Sequence, residues 1–118
     1  MNSDELLKTI ANGETSRVQF KEAFSNADSI AAELVAMANA KGGIILFGVK
    51  DTTGEVVGLD YAALRELGSK VAIIATDFVK PLVPVTTEVV AIPFENGERR
   101  VLIVSVEEGV AIIEVCKP

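Results

Sequence analysis

The chain has 118 residues, a net charge of −6, 49% hydrophobic residues and a mean hydropathy of +0.38, which suits one domain with a core built without disulfides. It contains no histidine, so histidine bases, histidine metal ligands and Ser-His or Cys-His nucleophile systems are excluded. Cys116 is the only cysteine, which excludes an internal disulfide and a cysteine-based zinc site.

Asn2 or Ser3 caps a first short helix, with Asp4 and Glu5 in its first turn and Leu6, Leu7 and Ile10 on one face. This acidic start lacks the basic segment and apolar run of a secretory signal. Asn12-Gly13 stops the helix. Residues 16–21 alternate as a strand, with Val18 and Phe20 on one side and Arg17, Gln19 and Lys21 on a wet face. Residues 25–29 offer several caps for a second helix that runs to about Lys41, with Ile30, Leu34, Met37 and Ala38 as its apolar stripe. Gly42-Gly43 ends it, and residues 44–49 form a continuous apolar strand buried on both faces.

Residues 51–54 are a turn and 55–58 a short return strand. Asp60 caps a third helix in which Tyr61, Leu64, Leu67, Val71, Ile74 and Phe78 recur at spacings of three and four, ended by Lys80-Pro81. Residues 83–93 and 99–106 flank Glu95-Asn96-Gly97-Glu98, where Asn-Gly signals a hairpin. Residues 110–115 are a last apolar strand. The order α-β-α-β-β-α-β-β-β describes one α/β (α+β) domain over residues 1–118, a mixed sheet packed with about three helices.

No run approaches the roughly 18 apolar residues of a membrane span. The cytoplasm is the expected compartment for a chain with one unpaired cysteine. The apolar balance and an unpaired terminal strand predict self-association as a homodimer or higher oligomer.

The glycine pair invites a phosphate-binding reading, but a phosphate loop runs strand, glycines, helix. Here the helix comes first, so its carbonyl end faces the glycines, and no Gly-Lys-Ser/Thr follows. Gly42-Gly43 reads as a helix stop with close strand packing, and no cofactor is predicted. Nucleic acid needs a basic patch, which the net charge disfavours. The one patch the pattern offers is Arg17, Gln19 and Lys21, joined by Lys41 and Lys50, which would touch phosphates without reading bases. Arg99-Arg100 reads as a solvated turn feature and Cys116 as packing. Glu14 and Asp51 read as solvated turn residues.

An ordered set of motifs runs through most of the chain: Glu5-Leu6-Leu7, Gly13-Glu14, Gln19-Phe20-Lys21, Ala38-Asn39-Ala40-Lys41-Gly42-Gly43, Gly48-Val49-Lys50-Asp51, Gly54 and Val57-Gly58-Leu59. In that combination the sequence resembles the AlbA-2 domain family, also called Schlafen AlbA-2 or divergent AAA-4. The resemblance implies a nucleic-acid-binding, specifically DNA-binding, domain of prokaryotic transcriptional regulators. Members continue beyond the point where this chain stops, so the resemblance implies either one domain of a longer regulator or a shortened member. The ATP-binding label of the family has no residues to support it here.

Some relatives are RNases with an acidic trio, two glutamates five residues apart and an aspartate after the central strand. Clustered carboxylates of that kind hold Mg²⁺ or Mn²⁺, which activates water against a phosphate. Glu14 matches the first position and Asp51 the third, but the second falls on Gln19, a neutral amide. The resemblance therefore implies a non-catalytic binding domain, with a weakened metal-dependent nuclease and an assembly domain as the alternatives.

Overall fold

A computed structural model describes residues 1–116. In chain order the elements are α1 (Ser3–Ala11), β1 (Val18–Lys21), α2 (Ala27–Asn39), β2 (Gly43–Phe47), α3 (Tyr61–Asp77), β3 (Val79–Lys80), β4 (Val85–Phe94), β5 (Gly97–Val106) and β6 (Glu114–Val115). The mixed α/β class and the three helices agree with the sequence reading, but two details of the order do not. Residues 55–58 form no strand; they contribute only an isolated bridge between Val49 and Val56. The third helix stops at Asp77 with Phe78 as its cap, which frees Val79–Lys80 to pair antiparallel with β6 ahead of Pro81.

Each helix begins where a short polar side chain replaces the missing backbone acceptor. The Asn2, Asn26 and Asp60 side chains accept from the backbone N–H groups of Glu5, Ser29 and Ala63 at 2.7–2.8 Å. Glu5 also accepts from the Asn2 N–H, which completes a capping box. The second helix ends at Asn39, two residues short of Lys41, because the Ala40 and Gly42 N–H groups both turn back to the Met37 carbonyl.

The main sheet has the order β1-β2-β5-β4, with β1 parallel to β2 and the other pairs antiparallel. As the uninterrupted apolar run of β2 implies, both faces of the sheet are covered. On one face Ile45, Phe47, Leu102 and Val104 pack under α2 and α3 with Ile30, Leu34 and Val71. On the other, Leu46, Phe20, Val101 and Ile103 pack against Leu6 of α1 and against Val49 and Val56. Leu7, expected to share the buried face of α1, is 43% exposed. The α1 helix meets the sheet along a single narrow stripe, so only Leu6 is fully covered.

The β4–β5 hairpin turns over Glu95 and Asn96, with Phe94 paired to Gly97. Among the described residues no non-glycine residue has positive φ, so Asn96 is not in the primed turn its Asn-Gly sequence suggests; Gly97 takes the positive φ (+125°) one position later. Residues 110–115 are not one strand. Val110 and Ile112 are exposed, Ile113 is buried, and only Glu114–Val115 pair with β3.

Candidate nucleic-acid interface

The sharpest local geometry lies where α2 gives way to β2. Gly42 carries the chain out of the helix, and Gly43 then enters the sheet against the carbonyl of Arg17. The Ile44 N–H donates to that carbonyl at 2.8 Å. This clamps the start of β1 to the end of α2, and the Arg17 guanidinium closes the arrangement by donating from Nη2 to the Lys41 carbonyl at 3.1 Å. Both side chains are exposed. Among the described residues neither takes part in an ion pair, so both charges stay available to a ligand. The backbone of Glu107 and Glu108 lies over Gly42, which puts two acidic residues beside the same corner.

The other expected contacts do not join this corner as one wet sheet face. The parallel register sets Gln19 beside Ile45 and Lys21 beside Phe47, and those partners face the core beneath α2 and α3. The face expected to be wet is therefore the covered one, at its rim. Lys21 is neutralised there by Glu33 of α2, with Nζ 2.9 Å from Oε1. Gln19 donates from Nε2 to the Thr15 carbonyl at 2.7 Å. Lys50 lies past the opposite end of β2 from Lys41, with the length of the five-residue strand, about 13 Å, between them. Arg17 and Lys41 are thus brought together; Lys21 and Lys50 belong to the far end.

Glu14 and Asp51 do share one groove. Both line a groove of about 320 Å³ between the end of α1 and the turn at residues 51–54, with Phe20 also in its wall. Glu14 is engaged in the fold, because its Oε1 accepts the Phe20 N–H at 2.7 Å. Gln19 alternates with Phe20 along β1 and projects from the other face. Among the described residues no group of three or more Asp, Glu, Cys or His side chains is placed to hold a metal ion. The residues present do not fit the three-carboxylate site that the RNase comparison requires. Instead, Glu14→Ala is expected to destabilise the fold by about 1–3 kcal/mol, since it leaves a partly buried N–H without its charged acceptor. Glu14→Gln, which keeps an acceptor oxygen, is expected to lose less; urea unfolding of both variants measures the difference.

Residues 14–114 match the family described as Schlafen, AlbA_2. The chain belongs to the Schlafen AlbA_2 family. No curated protein matches it. The matched span runs from ahead of β1 to the first residue of β6, and membership points to a nucleic-acid-related domain.

The structure gives physical roles to motif residues of this Schlafen AlbA_2 domain that pattern alone left silent. Asn39 makes two hydrogen bonds to the backbone of Ile113, donating to its carbonyl at 2.9 Å and accepting from its N–H at 2.8 Å. Gly48 offers its carbonyl to the N–H groups of Val57 and Gly58, which folds the segment after β2 back onto the strand end. Arg99 and Arg100 are not merely solvated turn residues. Arg99 donates from Nη1 to the Val56 carbonyl at 2.8 Å and lies 4.2 Å from the centre of the Phe94 ring. Arg100 sits 4.4 Å over Tyr61 and pairs with Glu98 at 3.1 Å. The hairpin register could have suggested the Phe94 contact, but Tyr61 arrives from a distant helix.

Cys116, expected to pack, is exposed; only its backbone is held, by an N–H donated to the Phe78 carbonyl at 2.7 Å. On α3, the Lys70 ammonium hydrogen-bonds Glu66 and holds its carboxyl below the usual carboxylate range. No helix is long and apolar enough to cross a membrane among the described residues.

Proposed function

We propose that this domain is a non-catalytic nucleic-acid-binding module that takes DNA as its ligand within a cytoplasmic transcriptional regulator. The observation that carries the reading is the Arg17/Lys41 corner, where the Arg17 guanidinium is held on the Lys41 backbone carbonyl and, among the described residues, neither exposed cation has a carboxylate partner. Family membership supports it. Two side chains of this kind contact phosphate oxygens and set position; they do not read bases. Lys50 extends the contact along the backbone only if the strand tracks past both ends of β2. Two phosphate contacts release about two counterions, so log affinity falls with log salt at a slope of about −2, while the net charge of −6 opposes a polyanion away from the corner and keeps binding weak.

Fluorescence anisotropy with labelled single- and double-stranded DNA and single-stranded RNA at low salt tests the proposal. The parent is expected to bind DNA, with affinity falling as salt rises. Arg17→Ala and Lys41→Ala should each weaken binding across sequences and lower the slope of log affinity against log salt by about 1. Absence of salt-sensitive binding, or an unchanged slope in both variants, overturns the assignment. Tighter binding of RNA than DNA overturns the choice of ligand.

A further inference from the structure

The two edges of the main sheet are treated differently by the fold. On β1 the backbone groups that point away from β2 belong to Val18 and Phe20. Val18 exchanges both of its hydrogen bonds with Thr15, and the Phe20 N–H is taken by Glu14. The chain's own loop takes every outward group of that edge except the Phe20 carbonyl, too little for another strand to pair with. On β4 the Glu107 N–H donates to the Pro84 carbonyl, which fixes the alternation of the β4–β5 ladder. Thr86, Glu88, Val90 and Ile92 face β5, so Val85, Thr87, Val89 and Ala91 point their N–H and C=O groups outward. Pro93 falls on the outward set, where its missing N–H costs the ladder nothing. Among the described residues no strand, loop or side chain covers these outward groups.

Exposed edges are usually blunted by lysine, proline or a bulge. Over the ten residues of β4 only Pro93, near one end, serves that purpose, and the single ionisable side chain is Glu88. Its charge is already met by the Met1 ammonium at 3.1 Å. The edge is therefore electrically neutral on a chain that carries −6.

We propose that this edge pairs antiparallel with β4 of a second copy, joining the two four-stranded sheets about a two-fold axis at Val89. The sequence selects that register. Centring on Glu88 would set two glutamates directly opposite, which is destabilising. Centring on Val90 would place Pro93 opposite Thr87 and lose interior bonds. Centring on Val89 uses the whole stretch from residue 85 to 93. Val89 then faces its counterpart, Thr87 faces Ala91 and Glu88 faces Val90, while Pro93 sits at the ends and only accepts. Val89 is 49% exposed in the single chain, so its β-branched side chain is free to form the central cross-strand pair. Because the β1 edge is closed, the assembly stops at two copies and does not grow into a fibre. One strand per chain buries less than the roughly 1,600 Å² of a standard stable interface, so the dimer forms in a concentration-dependent way.

Light scattering and backbone amide exchange by NMR test this across a dilution series up to about 1 mM, the concentration that detects even millimolar dissociation constants. The expected result is a rise from the one-chain to the two-chain mass. Alongside it, the amides of Val85, Thr87, Val89 and Ala91 gain protection with concentration, while those of Thr86, Glu88, Val90 and Ile92 are protected throughout. Val89→Lys should hold the one-chain mass at every concentration with an unchanged circular dichroism spectrum, since the side chain at residue 89 is exposed in the single chain; Val89→Thr should still dimerise. A one-chain mass throughout, or a dimer in which those four amides stay open, overturns the proposal.

Discussion

Gly42→Ala is expected to remove about 2–5 kcal/mol of stability, a large fraction of what a domain of this size holds. Two independent costs add at this position. Gly42 has φ +78°, where a side chain with a Cβ costs about 1–2 kcal/mol. An added Cβ would also lie 2.5 Å from the Val106 carbonyl oxygen and 3.1 Å from the Glu108 nitrogen. Both are backbone atoms of a paired strand and the loop leaving it, so neither yields cheaply, and overpacking of that kind costs about 1–3 kcal/mol.

Gly43→Ala meets a similar obstacle without the φ penalty: the Arg17 carbonyl oxygen at 2.7 Å, with the flexible Met37 thioether at 3.0 Å. Its further consequence is on the corner. Pushing the Arg17 carbonyl away breaks the bond to the Ile44 N–H and separates the guanidinium from Lys41. Urea unfolding of the two variants measures the stability loss, and the anisotropy assay measures the binding loss in whichever variant stays folded. A Gly42→Ala protein as stable as the parent would mean that residue 42 does not lie beneath the Val106 carbonyl.

Asn39→Ala is expected to cost about 2–3 kcal/mol, because it strips both backbone groups of Ile113 of their partners in a partly buried site. The effect should be local before it is global. The segment after β5 is held by few ties: the Gly109 N–H to the Ala38 carbonyl, Asn39 to Ile113, the short β3–β6 pair and the Cys116 N–H to the Phe78 carbonyl. Losing the middle tie should accelerate amide exchange at Gly109, Ile113 and Cys116 more than in β5, by opening of this segment alone. Asn39→Asp keeps an acceptor for the Ile113 N–H but turns a carboxylate toward its carbonyl, so it should not rescue the loss. Uniform acceleration over the whole chain would show that Asn39 acts on global stability instead.

The elements that read most clearly in the sequence were those with a local cause. Asn2, Asn26 and Asp60 are capping residues because a short polar side chain reaches the N–H three positions on, whatever the rest of the chain does. The apolar run after Gly43 requires burial on both faces, and it found it. The failures share a different cause. Residues 55–58 have strand-like composition, but both sides of the preceding strand β2 are already taken, by β1 and by β5. The alternation of Arg17, Gln19 and Lys21 is real. An alternating pattern cannot say which side a helix will cover, and here the polar side lies at the rim of α2, where Glu33 neutralises Lys21.

By itself, then, the sequence determined where the helices start, the glycine stop, the double-sided strand and the family, since each depends on neighbours within a few residues or on an ordered motif string. The tertiary structure alone decided the rest. It placed Arg17 beside Lys41 across 24 positions of sequence, brought Glu14 and Asp51 into one groove while committing Glu14 to the β1 edge, and left β4 open. Those outcomes depend on strand order and on which backbone groups remain unpaired once the sheet is assembled, and no local pattern of residues encodes either.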